Sequence, residues 1–257
     1  MGIAIVTGAS SGLGREFVYQ IASKEKNISE IWVIARREER LKELTARVDV
    51  PIELLPLDLI KRESIDYFIE YLKAQKPQVD ILVNAAGFGK IGSYSDISLL
   101  DSDNMIDLNC RAAVDMTVAV LPYMKRRSRI IEICSTAAFQ PFQYLNVYAA
   151  TKAFLYRYSR ALRIELLPRG IHVTAVCPYW IKDTEFIPKA KHSRDGRKIR
   201  NFIFAGRAKN VAAIALNDSR IGLPVSTPGP VCFIHRIVAK FIPHEIMIWL
   251  WELIRRL

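Results

Sequence analysis

The sequence predicts a single α/β domain built on a doubly wound parallel sheet, with helices on both faces. Three observations predict it. Six short apolar runs, at residues 3–6, 31–35, 52–57, 81–84, 130–134 and 171–176, each have the length of a strand buried on both faces. The segments between them carry helical periodicity, and strand–helix–strand repetition calls for right-handed parallel crossovers. The 257 residues are 51% hydrophobic, enough for one core, and no linker, repeat or low-complexity tract divides 1–257.

The elements follow in order. After the first run, the segment 15–24 sets Phe17, Val18 and Ile21 on one helical face. After the second, 38–47 turns Leu41 and Leu44 inward. After the third, 64–75 repeats Ile65, Phe68, Ile69 and Leu72 at spacings of three and four. A long helical stretch containing Asp107-Leu108-Asn109-Cys110 leads to the fifth run, and another containing Tyr148 leads to the sixth. The end of the chain, 231–257, reads as an apolar helical tail, which Pro243 splits into two short helices. Its Trp249, Trp251 and many aliphatic side chains need a partner surface. The expectation is that it packs across the substrate opening or on another subunit, in a homodimer or homotetramer. Peripheral membrane contact, favoured by Arg236, Lys240, Arg255 and Arg256, is the alternative.

Composition narrows the partners. A net charge of +11 favours anionic ligands without choosing among them. The basic segment 189–198 lacks interleaved aromatics, which argues against nucleic acid and for a solvated face. Cys110, Cys134, Cys177 and Cys232 form no CxxC pair, and the four histidines are scattered, so reduced thiols and no metal site are expected. Met1 is followed at once by an apolar strand, so no cleaved signal peptide is expected, and no run approaches the roughly 20 apolar residues of a membrane span. The expected location is the cytoplasm, with the membrane surface as alternative.

In a doubly wound sheet, ligands bind beyond the carboxyl ends of the strands. The informative residues stand there. Thr7-Gly8-Ala9-Ser10-Ser11-Gly12-Leu13-Gly14 joins the first strand to the first helix. Glycines permit the tight turn and close backbone approach to a pyrophosphate, and the helix N-terminus offers free N–H groups. This makes the sheet Rossmann-like. After the second strand come Arg36 and Arg37, with no acid before Glu38 to meet a ribose 2′-hydroxyl. Arg36 suits a 2′-phosphate, so NADP(H) is expected rather than NAD. Asp58-Leu59 follows the third strand and Asn84-Ala85-Ala86-Gly87 the fourth.

Tyr148 and Lys152 share a helix face at i and i+4. Carbonyl reduction needs a proton donor at the carbonyl oxygen, and an ammonium nearby is expected to lower a phenol pKa from its usual value near 10. Ser135 ends the fifth strand, where its hydroxyl can hold the same oxygen. Asn109 can order a water between Lys152 and solvent. Cys134 reads as a small core residue.

In order and spacing, TGxxxGxG, Asn84–Gly87, Ser135 and the Tyr148/Lys152 pair resemble the short-chain dehydrogenase/reductase family over roughly residues 2–185. The resemblance implies a catalytic set of Asn109, Ser135, Tyr148 and Lys152. It implies cofactor contacts from Gly8, Ser10, Ser11, Gly12, Leu13, Gly14, Arg36, Asp58, Leu59, Asn84, Ala85, Gly87, Tyr148, Lys152, Pro178 and Ile181. Tyr179 stands where the family usually has glycine after Pro178, Asp183 stands at its threonine position, and Thr184 comes one residue later. Phe139, Phe142 and Tyr144 suggest an apolar pocket wall, and the resemblance implies a variable substrate lid at about 182–216. The implied activity is hydride transfer between NADP(H) and a hydrophobic ketone or secondary alcohol, of the hydroxysteroid dehydrogenase or carbonyl reductase kind. A non-catalytic dinucleotide sensor or scaffold, and a membrane-surface acyl-chain reductase, are the alternatives.

Overall fold

In the computed structural model, which describes residues 2–191 and 204–255, strands form at all six apolar runs. They are β1 (Gly2–Thr7), β2 (Ile28–Ile34), β3 (Ile52–Leu55), β4 (Val79–Asn84), β5 (Met124–Ile133) and β6 (His172–Val176); β7 (Val225–Ser226) follows. The helices are α1 (Gly12–Lys24), α2 (Glu38–Thr45), α3 (Arg62–Gln75), α4 (Leu99–Ile106), α5 (Ala112–Val120), α6 (Asn146–Leu166), α7 (Phe186–Ala190), α8 (Ala208–Arg220), α9 (Pro230–Phe241) and α10 (His244–Ile254). All seven strands pair in parallel, in the order β3-β2-β1-β4-β5-β6-β7.

Strand alternation splits the core into two layers. Ala4 and Val6 of β1 face one side, where they meet Phe17, Val18 and Ile21 of α1, Leu41 and Leu44 of α2, and α8. Ile3 and Ile5 face the other side and meet α3, α5 and α6. Covered on both faces, β1 is buried along its whole length, as the apolar run requires.

Three details depart from the sequence pattern. β5 begins at Met124, six residues before the apolar run. Its basic start is spliced in by a register shift between Val79↔Met124 and Ile81↔Arg129, with Arg127 in the left-handed region at φ 73°. Ser128 seals the bulge by donating from Oγ to the Val79 carbonyl at 2.8 Å. β3 stops at Leu55, short of the end of its apolar run, and β7 has two residues, too few for any periodicity.

Pro243 separates α9 from α10. Among the described residues, no helix is long and apolar enough to cross a membrane. The four cysteines are buried free thiols. Most of the basic segment, 192–198, and Arg256 lie outside the described residues.

Candidate active site

One cavity of about 1060 Å³ opens along the carboxyl edge of the sheet and continues under α9 and α10. Its nucleotide end is the loop after β1. Gly8 and Gly12 adopt φ values of +68° and +53°, where a side chain is strained. Gly14 lies so close to the start of the loop that a Cβ there would stand 2.4 Å from the Gly8 carbonyl oxygen. Thr7 Oγ1 accepts from the Ala85 and Ala86 N–H groups at 3.0 Å each, tying this loop to the one after β4. No side chain caps α1, so its first N–H groups are left for a ligand.

Arginines flank this end. Arg36 is exposed and lines the cavity. Arg37 is held more tightly. It donates from NH2 to Ser10 and Ser11 Oγ at 3.2 and 2.8 Å, and from NH1 to both carboxylate oxygens of Glu185 at 3.3 and 3.0 Å. Arg40 and Lys189 also pair with Glu185. Hydrogen bonds from Lys189, Arg40 and Arg37 outweigh partial burial and hold the Glu185 carboxyl down at about 2.

Asp58, Leu59, Ala85 and Gly87 line the same cavity. Asn84 does not. Its amide donates to Ala113 O, Thr117 Oγ1 and Glu132 Oε1 at 3.3, 2.8 and 2.9 Å, inside the layer that packs α5 on the sheet. The last residue of β4 points to the α5 face and not over the strand end. Glu132 is fully buried in the same network, and burial pushes its carboxyl up to about 7 against the Asn84 and Thr117 hydrogen bonds.

Ser135, Tyr148 and Lys152 converge on the middle of the cavity. Ser135 stands two residues beyond the end of β5, not at it, and its Oγ accepts from Ala137 N at 3.1 Å; Tyr148, on α6, is buried. Lys152 Nζ donates to the Ile133 carbonyl at 2.7 Å and stands 5.9 Å from the centre of the Tyr148 ring. The expected lowering of the Tyr148 pKa is not found. Burial raises it, with the Ser135 hydrogen bond acting in opposition, and burial also depresses the Lys152 ammonium. Asn109 sits in a π-helical turn, Asp107–Arg111, a form of turn frequent at functional sites. Its Oδ1 accepts from Phe88 N at 3.0 Å, and its Nδ2 donates to Phe88 O and Thr151 Oγ1 at 2.9 and 3.0 Å. These bonds clamp the loop after β4 to α6; both amide donors are spent on protein partners.

After β6, Pro178, Tyr179, Trp180, Ile181 and Thr184 line the cavity. Asp183 does not, because its carboxylate accepts from Ala208 N at 2.8 Å at the start of α8. Of the three aromatics expected in the wall, Phe142 alone faces the cavity. Phe139 packs on Tyr156 and His235, and Tyr144 lies under the Arg255 guanidinium at 4.4 Å. The far wall comes from the last two helices. Trp251 meets Phe142 edge-on at 4.9 Å and donates from Nε1 to Gln143 O at 3.3 Å. His235 bonds Gln140 at 2.8 Å, and burial lowers its pKa to about 4.

Sequence reasoning missed Glu185, Phe186, Gln140 and His235. Phe186 packs on Tyr148 with ring centres 5.4 Å apart. None of these belongs to a local motif, and only the fold brings them to the cavity.

Fold and cavity together define the class: a doubly wound α/β protein with its cleft at the strand carboxyl ends. The chain belongs to the short chain dehydrogenase family, whose model matches residues 2–195. It is 35% identical over 207 residues to an NADP-dependent 3-hydroxy acid dehydrogenase, YdfG, of Shigella flexneri, covering 78% of this chain and 81% of that protein. A short-chain dehydrogenase from Sphingobium yanoikuyae in complex with NADPH superposes with a TM-score of 0.77 at 25% identity, covering 95% of this chain and 96% of the other. One from Burkholderia cenocepacia in complex with NADP gives 0.71 at 26%, covering 86% and 90%.

Proposed function

We propose that the protein is an NADP(H)-dependent oxidoreductase that interconverts a hydrophobic ketone and a secondary alcohol, with Tyr148 as the acid/base. The observation that carries this reading is the single cavity running from the glycine loop and Arg36/Arg37, past Ser135, Tyr148 and Lys152, to an apolar wall. The glycine cradle fits a pyrophosphate, since side chains at Gly8 or Gly14 would collide with neighbouring backbone. Arg36 and Arg37 fit a 2′-phosphate.

NADP(H), when bound, supplies or accepts the hydride. In reduction, Ser135 orients the substrate oxygen and Tyr148 gives it a proton. The raised Tyr148 pKa suits this direction, because the phenol is protonated at neutral pH before transfer. Lys152 offers the positive charge that the phenolate then needs. Asn109 positions Phe88 and Thr151 around this set.

The substrate end is apolar, with Phe142, Val238, Met247, Leu250 and Trp251. Lys90 there is paired with Asp101 at 3.7 Å, and His235 is neutral at pH 7. This favours an uncharged carbonyl compound over a hydroxy acid. A second reading, the same chemistry at a membrane surface, is favoured by the outward stripe of α10: Ile246, Trp249 and Leu253 are 51%, 75% and 63% exposed.

Tyr148→Phe tests the assignment. The variant should bind NADPH normally by fluorescence titration and lose turnover by about 10²–10⁴. Near-normal turnover would remove Tyr148 from the reaction.

A further inference from the structure

An NAD-preferring site ordinarily places an acid at the end of the second strand to accept from the ribose 2′-hydroxyl. This chain has arginines there instead. The fold nevertheless delivers a carboxylate to the same corner. Glu185 reaches Arg37 across 148 residues of sequence, from the segment between β6 and α7. It lines the cavity together with Ser10, Ser11, Arg36 and Arg37.

Four of the five N–H donors of the Arg37 guanidinium are engaged in this arrangement. NH2 serves the two loop serines, and NH1 serves both oxygens of Glu185. Arg40 adds a second ion pair to the same carboxylate. Glu185 thus offsets part of the positive charge that a 2′-phosphate would seek at Arg37, while Arg36 is not among its partners. An arriving phosphate must displace the carboxylate from Arg37 or share the corner with a like charge. A ribose that carries a free 2′-hydroxyl brings no charge to compete, and it offers a donor that a carboxylate can accept.

We propose that Glu185 is the cofactor-specificity residue of this site: an internal anion that competes with the 2′-phosphate for Arg37 and tempers the preference for NADP(H) over NAD(H). The proposal rests on the NADP(H) reading above. Arg37, Arg40 and Glu185 side chains are 37%, 41% and 32% exposed, so the pairing is screened by solvent and its displacement is inexpensive. The expected effect is therefore a shift of about threefold to tenfold and not an inversion.

The test is calorimetric titration of the whole protein and its Glu185→Gln and Glu185→Ala variants with NADPH, NADH and 2′,5′-ADP. Melting temperature serves as the check on folding. Both variants should bind NADPH and 2′,5′-ADP about threefold to tenfold more tightly, with no tightening for NADH. Unchanged or weaker NADPH binding in variants that melt like the wild type would overturn the proposal, as would equal tightening of both dinucleotides. If one variant melts early, the other decides by the same criterion. A wild-type protein that prefers NADH and ignores 2′,5′-ADP would overturn the NADP(H) reading itself. A wild type that prefers NADPH, with variants that do not tighten, overturns the role of Glu185 alone.

Discussion

Glu132 shows how a single residue sets a condition on the whole site. It lies fully buried on β5, one position from the Ile133 carbonyl that holds Lys152, and its Oε2 and the Asn84 Oδ1 have no hydrogen-bond partner among the described residues. Burial raises its folded pKa to about 7 from an ordinary 4.5. Below the lower value the carboxyl is protonated both folded and unfolded, and nothing is lost. As pH rises between the two, only the unfolded chain ionises, so stability falls, by on the order of 3 kcal/mol once the folded pKa is passed. Glu132→Gln keeps an acceptor for Asn84 and Thr117 and has no carboxyl to ionise. Its melting temperature should decline less than that of the wild type between about pH 5 and 8; parallel profiles would refute the assignment. Legibility at this scale follows locality. Ser135, Tyr148 and Lys152 were readable because a strand end and an i, i+4 spacing place them. Asn84 was misplaced because strand end alone does not say which way a side chain turns, and Glu185 was unreadable because no local pattern links it to Arg37.

At the scale of the element, α10 is the informative case. Met247 and Trp251 on one face are 7% exposed each and line the substrate cavity. The opposite face presents the exposed stripe to solvent. Gln140 and Gln143 donate from Nε2 to the Met247 and Ile248 carbonyls at 3.5 and 3.4 Å, linking α10 to the loop between Ser135 and Tyr148. A chain stopped after Ile242 should therefore keep its affinity for NADPH while KM for a hydrophobic ketone rises severalfold, since the substrate loses the apolar wall that Met247 and Trp251 supply. Unchanged KM, with loss only of flotation on anionic liposomes, would transfer the role of α10 to the membrane. The sequence pattern disclosed the two helices through Pro243, but not their inner and outer faces, because apolar residues occupy both.

The whole molecule leaves further apolar surface on the side of the sheet that carries α5 and α6. Val118 and Phe154 are 58% and 48% exposed, and Ile106 and Ile164 are 49% and 64% exposed. A homodimer through this side would cover them, and stable interfaces bury about 1,200–2,000 Å². Sedimentation should give a dimer or larger at micromolar concentration, and Val118→Glu with Phe154→Glu should shift it toward the monomer with NADPH binding retained. A monomeric wild type would refute this. The doubly wound order was legible in outline because buried parallel strands are apolar throughout, while the basic start of β5 was hidden by its bulge.

The roof over the substrate end has a consequence for how the molecule comes into being. Chains emerge from the ribosome N-terminus first, at about 5–20 residues per second. The glycine loop, Ser135, Tyr148 and Lys152 all precede α9 and α10 in the chain. The catalytic floor is therefore made while its roof is still unsynthesised, and for that interval Phe142 lacks the Trp251 ring that packs on it. A nascent chain that folded before α9 and α10 were made would carry the nucleotide cradle beside an uncovered apolar trough. In that stage a bound dinucleotide would steady the sheet edge, whereas the greasy substrate would have nothing to close upon it.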